Sequence, residues 1–600
     1  MCGIAGSYSY RDSAGSVDHA ALLEMREALA HRGPDGAGLW LADDGRVGLA
    51  HRRLAIIDLS DRGLQPMHRN GAGLTIVYNG EIYNYRELRD ELIDRFGISF
   101  ETKSDTEVLL ALFELHGAEM VHKLRGMFAL AIWDARTRRL FLARDPYGIK
   151  PLYYAETGGA LHFASQVKAL LKHPAVSREA DAAGMVGFQL FGSVPEPFTL
   201  YRHVSALPAG HYLWVGEGGV GEPIRYASLS EALASASRDE RSDVGNVVSE
   251  AVHDSVRAHL VADVEVGVFL SSGVDSASLV GLMRDAGQES IRAITLGFEE
   301  LAGTPADEVP LARAVARQYG AHHHVELVTR NDFHNSAERI LADMDQPSID
   351  GINSWFVSKA AHDCGLKVVL SGLGGDELLA GYSTFRTVPR MRRIGGVAAM
   401  VPFACPLARL LVARFAPGWG RRNPKALGVF DYGGSWEGSW LLRRAVMLPF
   451  ELDRALDADT VRDGLKRLDP LGLIGTAITP DPGDDIRRVA ALEASLYMRN
   501  QLLRDADWAS MAHSLELRVP FVDWRTFGRI APIAHRLGNR AGKMALARSP
   551  SLPLPQAVQS RRRTGFTIPV ALWNGASAST SAGVGSRKWA TRVSQAFQLA

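Results

Sequence analysis

Cys2 follows Met1 directly. Once the methionine is removed, such a residue carries a thiol and a free α-amine about one hydrogen bond apart, a nucleophile with its own general base. The competing reading is a small buried residue heading a first strand, since cysteine packs well without reacting. A second group of candidates is Ser271, Ser272, Gly273, Val274, Asp275 and Ser276, which follow the apolar run 264–270. Small residues let backbone N–H groups approach an anion, hydroxyls add donors, and a helix opening after the turn adds its positive end. No Gly-Lys-Ser/Thr closes the turn, so it is not a Walker loop. Asp275 cannot face phosphate oxygens without repulsion, and its natural task is holding the Mg²⁺ that neutralises them. A plain helix N-cap would account for any one of these residues but not for the run. After 367–370 the pattern recurs as Ser371, Gly372, Leu373, Gly374, Gly375, Asp376 and Glu377, where glycines permit close approach and acids can complete a metal site. Both turns follow strand-like runs, which points to one shared nucleotide site. His322, His323 and His324 begin a strand in which they alternate faces, so they do not form a metal cluster.

The elements that must position these residues fall into two grammars. Residues 1–215 read as strand-rich, with apolar runs at 74–78, 126–133, 139–143 and 161–164 and helical periodicity at 20–30, 87–96 and 104–116. This is a layered α+β domain. Residues 216–243 shift to Gly, Ser, Ala and charge and read as a linker. Gly216, Gly218 and Gly221 match the spacing of a dinucleotide fingerprint, but no helix signal follows, so a glycine-rich turn is expected. From 244 to 600 helical and strand segments alternate, with strands at 264–270, 291–298, 324–328 and 367–370 and helices at 247–259, 277–286, 309–319, 332–344 and 354–364. That alternation implies a doubly wound parallel sheet binding ligands at the carboxyl ends of its strands. Beyond about 385 the chain reads as mostly helical.

Six hundred residues exceed a single core, and 46% hydrophobic with 22% charged residues describes an ordinary globular composition. Lys+Arg and Asp+Glu each number 67, so no global field recruits nucleic acid or an acidic membrane surface. The apolar run 394–416 is broken by Pro402, Pro406, Arg409 and Arg414, which argues against a membrane span. The first residues lack a basic segment followed by an apolar one, so a cytoplasmic location is expected. Cys2, Cys364 and Cys405 are too few and too far apart for a disulfide framework or a metal knuckle.

Taken jointly, these residues resemble the glutamine-hydrolysing asparagine synthetase family over about residues 1–575. The resemblance rests on Cys2 to Gly6, His31 to Asp35, Arg53 to Ile57, Asn79 to Glu81, and Ser104 with Asp105. It continues through Arg144, Asp145, Gly148, Lys150 to Tyr153, the two small-residue turns, and Ser510 to Phe521. It implies an αββα N-terminal-nucleophile glutaminase domain fused to an ATP-pyrophosphatase domain with a helical extension. It further implies that Cys2 attacks the glutamine amide, with Asn79 and Gly80 N–H stabilising the oxyanion, a device worth about 3–4 kcal/mol per donor. Arg53 would take the glutamine α-carboxylate, Glu81 and Asp105 its α-ammonium, and Leu54, Ala55, Ile56 and Ile57 would complete the pocket. In the second domain Phe269, Ser371 and Gly372 would lie against adenine. Ser271, Ser272, Gly273, Asp275 and Ser276 would hold ATP and departing pyrophosphate, with Asp275 and Asp376 sharing Mg²⁺. Arg563, where a lysine is usual, would stabilise the pentavalent phosphorane with a planar fork. Ammonia would pass through an enclosed route to an acyl-adenylate, and the partners implied are glutamine, ATP and a carboxylic acid, with a homodimer compatible.

Several positions depart from the family pattern. Leu373 stands where an acidic residue is usual, Ser272 and Ala380 where glycine is, and Trp508 where arginine is. These leave the glutaminase half intact and fall near the acceptor site. The expected activity is glutamine-dependent, AMP-forming amide synthesis, with aspartate as the first acceptor to consider. A different carboxylate, such as a sugar acid or a specialised-metabolite acid, is the alternative, and a degenerate nucleotide-binding protein is the reading from another class. A ring-closing relative is disfavoured, because it would not need the complete ammonia-producing site.

Overall fold

The residue after Cys2 opens the strand Gly3–Ser9, buried along its whole length. Its glycines are steric requirements: a Cβ on Gly6 would meet the Phe163 ring at 2.4 Å, and one on Gly3 the Leu29 side chain at 2.7 Å. The computed structural model describes residues 2–399, 424–561, 569, 573 and 582–598. Gly3–Ser9 lies inside a six-stranded antiparallel sheet in the order Ser205–Ala206, Tyr153–Thr157, Ala160–Ala164, Gly3–Ser9, Val47–Arg53, Gly36–Leu41. A terminus that would ordinarily fray is thereby fastened on both sides.

A second antiparallel sheet runs Gly219–Val220, His211–Gly216, Arg139–Arg144, Gly126–Asp134, Leu74–Ile82, Met67–Arg69. Ile4, Tyr8, Leu49, Val77, Ala129, Ala131 and Phe163 pack between the two sheets. Alternation along Leu74–Ile82 then sends Ile76 and Tyr78 outward, into a core shared with Leu88 and Leu92 of the helix Tyr85–Phe96 and Val108 and Leu112 of Asp105–His116. Helix His19–Glu27 covers the other outer face through Leu22 and Met25. This is the αββα layering expected. Part of the stretch expected as a linker is sheet instead. Val215 pairs with Val220, Gly216 with Gly219 at φ +108°, and His211 with Arg225. The glycines 216, 218 and 221 therefore serve a hairpin and not a dinucleotide turn, and a short helix Leu229–Ser235 follows.

The second half holds a five-stranded parallel sheet in the order His322–Val328, Arg292–Phe298, Val266–Phe269, Val368–Leu370, Glu516–Arg518. Val266, Val268, Val368, Val369 and Leu370 are buried, as a sheet covered on both faces requires. Helix Val244–His259, capped by Asp243 accepting from Asn246 N–H, buries Val248, Val252 and Val256 and packs against the helices Val274–Asp285, Trp524–Ile530 and Ala541–Arg548. The first strand in sequence, Val266–Phe269, is central, and later strands add to opposite sides. Strand order thus reverses between Val266–Phe269 and Val368–Leu370, which opens a crevice beyond their carboxyl ends. The three histidines alternate along the edge strand His322–Val328, as expected. The fifth strand, Glu516–Arg518, has no counterpart in the sequence reading. It joins after a helical extension that includes Trp436–Arg444 and the continuous helix Asp485–Leu492, Glu493–Leu503, Arg504–Met511, whose middle segment is π-helical. Among the described residues no helix is long and apolar enough to cross a membrane.

Candidate active sites

Cys2, Arg53, Leu54, Ile56, Ile57, Gly80, Glu81 and Asp105 line one cavity of about 380 Å³ together with Gln65, Tyr78 and Glu516. Ala55 does not line it, and its N–H donates to Asp35 Oδ2 at 2.8 Å. Cys2 N–H donates to Asn79 Oδ1 at 3.0 Å. The Asn79 amide nitrogen is buried with no hydrogen-bond partner among the described residues, so it is an available donor beside the thiol. A Cβ at Gly80 would meet Met127 O at 2.2 Å, so the adjoining backbone tolerates no side chain. Burial pushes the Cys2 thiol above its ordinary range, and a hydrogen bond from Leu54 N–H works against that shift. A buried thiol of this kind needs a base in contact to react.

Asp105 is the first residue of its helix, behind Ser104, whose side chain accepts from Thr106 N–H. Asp105 Oδ2 accepts from Tyr78 O–H at 3.0 Å and Ile82 N–H at 3.1 Å. Burial raises its carboxyl above the usual range, against those hydrogen bonds. The Arg53 guanidinium donates to Ser60 O at 2.7 Å, Ile57 O at 3.4 Å and Asp58 O, which folds the loop 54–63 around it. Glu81 Oε2 lies 3.0 Å from Arg518 Nη2, while Glu81 Oε1 is buried with no hydrogen-bond partner among the described residues.

Sequence reasoning missed the bridges between the halves. Arg32 is fully buried; its Nε donates to Cys2 O at 3.1 Å and its fork grips Asp507 at 2.7 and 3.0 Å. Arg125 pairs with Asp523 at 2.7 Å and Asp254 at 2.9 Å. His31 O accepts from Ser514 O–H at 2.7 Å, and burial pushes the His31 ring down to about 3, so the ring is neutral. No spacing in the sequence announces pairs so far apart in the chain.

The two small-residue turns meet at the switch point. A Cβ on Gly372 would come 2.9 Å from Ser276 N, and one on Gly375 would come 2.7 Å from the Asp275 carboxyl carbon. Ser271 N–H donates to Ser276 Oγ at 3.0 Å and Gly273 N–H to Ser271 Oγ at 3.1 Å, which shapes the first turn. Gly273 caps the helix Val274–Asp285 without a side-chain acceptor. Ser272 O–H donates to Glu308 at 3.2 Å and accepts from Arg561, and Phe269 ends its strand half-buried at the mouth of the turn. In the second turn Ser371 N–H donates to Arg518 O at 2.9 Å. Asp275 and Asp376 converge as expected, and Lys543 bridges them, 2.7 Å from Asp376 and in contact with Asp275. Lys543 had no signal in the sequence, being one lysine on the helix Ala541–Arg548. Arg563 lies outside the described residues.

Beyond Asp376 the chain turns through Ala380, at φ +53°, to Tyr382, whose O–H donates to Glu377 at 2.8 Å. Burial, then the Asp376 charge, pushes Glu377 up to about 7. Arg444 lies over the Tyr382 and Tyr497 rings at 4.7 and 3.6 Å and pairs with buried Glu493. It opens on a second cavity of about 360 Å³ lined by Phe191, Trp440, Leu496, Tyr497 and Gln501. The π-helical segment supplies Leu496, Tyr497 and Gln501, a placement π-helical turns often have at functional sites. Leu373 is half-buried against the core, and Trp508 is buried with its N–H donating to Asp505 at 2.8 Å.

The glutamine amidotransferase domain family matches residues 1–227 and the asparagine synthase family residues 247–587. Asparagine synthetase [glutamine-hydrolyzing] 1 of Bacillus subtilis is 32% identical over 96% of this chain and 88% of its own length. A putative asparagine synthetase [glutamine-hydrolyzing] of Mycobacterium tuberculosis is also 32% identical over 96% of this chain and 88% of its own length. Amidase chry2 of Gibberella zeae is 32% identical over 64% of this chain and 60% of its own length. Among solved structures, the glutamine phosphoribosylpyrophosphate amidotransferase from B. subtilis aligns with a TM-score of 0.30 and 16% identity, over 56% of this chain and 93% of that one. With an amidotransferase domain around Cys2 and an ATP-using synthase domain around the paired turns, the chain belongs to the glutamine-hydrolysing asparagine synthetase family.

Proposed function

We propose that this chain hydrolyses glutamine at Cys2 and uses the ammonia to convert an ATP-activated carboxylate into an amide, with aspartate as the first acceptor to test. The observation that carries the reading is the convergence of Cys2, Gly80, Glu81 and Asp105 on one cavity in one half, while two phosphate-type turns meet in the other. The Cys2 thiolate attacks the side-chain amide carbon. The resulting oxyanion is met by Asn79 Nδ2 and Gly80 N–H. The α-amine of Cys2 passes the thiol proton to the departing nitrogen, so collapse releases ammonia and leaves a thioester that water opens to glutamate. In the synthase half the acceptor carboxylate attacks the α-phosphorus of ATP, pyrophosphate leaves into the turn Ser271 to Ser276, and ammonia displaces AMP from the acyl-adenylate.

Asp275 and Asp376 fit a Mg²⁺ ion, which is held by one or two carboxylates plus substrate phosphates, and their convergence on the Lys543 ammonium supports a cation position there. Bound there, the ion would supply neutralisation of phosphate charge. Glycines let the backbone approach both carboxylates, since a Cβ at Gly375 would come 2.7 Å from the Asp275 carboxyl carbon and one at Gly381 would strike Asp376 Oδ1 at 2.0 Å.

A second acceptor reading, a larger carboxylic acid in place of aspartate, is favoured by Leu373 and by the aromatic lining beside Arg444. Pyrophosphate release from ATP, measured with glutamine and a panel of carboxylic acids, separates the readings. Aspartate-dependent AMP and asparagine formation is the result expected for the first. Turnover with another acid alone replaces aspartate, and no turnover with any acid overturns the proposal.

A further inference from the structure

The cavity around Cys2 is closed on one side by the other half of the protein. Glu516 lines it, and Glu516 belongs to the last strand of the parallel sheet. Two residues on, Arg518 is fully buried, with Nε and Nη1 hydrogen-bonded and Nη2 held by an ion pair alone among the described residues. Nε donates to Glu516 at 2.6 Å, Nη1 to His259 O at 2.8 Å and Val261 O at 2.6 Å, and Nη2 lies 3.0 Å from Glu81 Oε2. Its cation also stands 5.6 Å from the centre of the Tyr83 ring, which packs on His259 at 4.0 Å. Strand register pairs Arg518 with Leu370, and Arg518 O accepts the N–H of Ser371, the first residue of the second nucleotide turn.

Glu81 sits beside Gly80 on Leu74–Ile82, with its Oε2 tied to Arg518 and its buried Oε1 left without a hydrogen-bond partner among the described residues. Asp105 from its helix and Glu516 from the last strand add negative charge to the same enclosure. Burial pushes the Glu81 carboxyl well above its ordinary range, and the foremost opposing influence is the Arg518 guanidinium. A carboxylate so placed can meet an ammonium only while that guanidinium holds it.

We propose that Arg518, from the synthase sheet, is a positioning residue of the glutamine pocket: by gripping Glu81 Oε2 it aims Glu81 Oε1 at the α-ammonium of glutamine. The inference rests on the proposed glutaminase reading. It makes the pocket a product of both halves and fixes its wall to the strand that precedes the nucleotide turn.

A double-mutant cycle on the full-length protein tests it, with glutamine hydrolysis and ammonia-supported amide synthesis measured on each preparation. Arg518→Gln is expected to raise the glutamine KM by about tenfold or more with a much smaller change in kcat, because ground-state binding is what is lost. Arg518→Lys retains a charge without the fork and is expected to fall between wild type and Arg518→Gln. In a Glu81→Gln background, Arg518→Gln is expected to change the KM by less than about twofold, since the residue acts through Glu81. Glu81→Gln/Arg518→Gln deprives one buried carboxylate of the guanidinium instead of two, which keeps the cycle readable if Arg518→Gln alone folds poorly. Full additivity of the two substitutions, or a KM for Arg518→Gln equal to wild type, overturns the proposal while leaving the glutaminase reading intact. A wild-type protein that hydrolyses no glutamine overturns both.

Discussion

Replacing Gly372 with alanine places a methyl group in the seam between the two nucleotide turns. The added Cβ would come 2.9 Å from Ser276 N, 3.0 Å from Asp275 Cβ and 3.1 Å from Asp275 C. Two of those three atoms are backbone, so the strain cannot be relieved by turning a flexible side chain. Ser276 is the third residue of the helix Val274–Asp285, where the N–H has no intrahelical partner and is free to meet an anion. A methyl there either occupies the anion's place or shifts the turn by some tenths of an ångström. Losing one charge-assisted hydrogen bond costs about 1.5–3 kcal/mol, and weakening the helix-end interaction adds roughly 0.3–1 kcal/mol. The sum of about 2–4 kcal/mol corresponds to a rise of roughly 30- to 1000-fold in the KM for ATP. The assay is pyrophosphate release as a function of ATP, run beside glutamine hydrolysis on the same preparation. Glutamine hydrolysis is expected to keep its KM, which separates a local obstruction from misfolding. An ATP KM within about twofold of wild type would refute the assignment of this seam to phosphate.

Cys2→Ala is expected to abolish glutamine-supported synthesis and spare synthesis from added ammonia, and loss of both would show that the two halves do not divide the labour as proposed. Asp505 is pushed up from 3.8 to about 7 by burial and then by the neighbouring Asp350 carboxyl, so the folded state holds its proton more tightly than the unfolded chain. Its own contribution to stability is therefore greatest below about pH 4, declines through the window up to about 7 and then levels off, by roughly 4 kcal/mol in all. Asp505→Asn should flatten that part of the melting-temperature profile, and an unchanged slope between pH 4.5 and 8 would count against it. Arg32→Met leaves Asp507 buried without its fork and should cost about 3–5 kcal/mol, with Arg32→Met/Asp507→Leu restoring most of the lost melting temperature. Ala380→Gly relieves a left-handed residue and should raise the melting temperature by about one to three degrees, a gain of up to about 1 kcal/mol.

Cys2 was legible from its own chemistry, a thiol and an α-amine on one residue, whereas Asn79, Gly80, Glu81 and Asp105 were reached only through the resemblance of their short stretches to the family, and the αββα layers bring those stretches together. Strand and helix periodicity likewise carried the parallel sheet as far as Val368–Leu370. Glu516–Arg518 escaped because a three-residue strand has no measurable period, and its pairing depends on the helical extension returning to the sheet. Lys543, Arg32 and Arg518 escaped for a related reason: an isolated cation gives no sign of the carboxylate it will meet. The glycines 216, 218 and 221 were readable as turn residues, but not as a hairpin, because the partner strand is recognised only by its register.

The strand Glu516–Arg518 also sets an order of assembly. A ribosome delivers the amidotransferase layers first, so Cys2 and its neighbouring strands are free to fold long before the last strand of the parallel sheet exists. Until that strand docks, the cavity lacks the wall formed by Glu516 and stands open on that side. Completion of the Cys2 cavity thereby waits on a strand of the other half that leaves the ribosome more than five hundred residues after Cys2 itself.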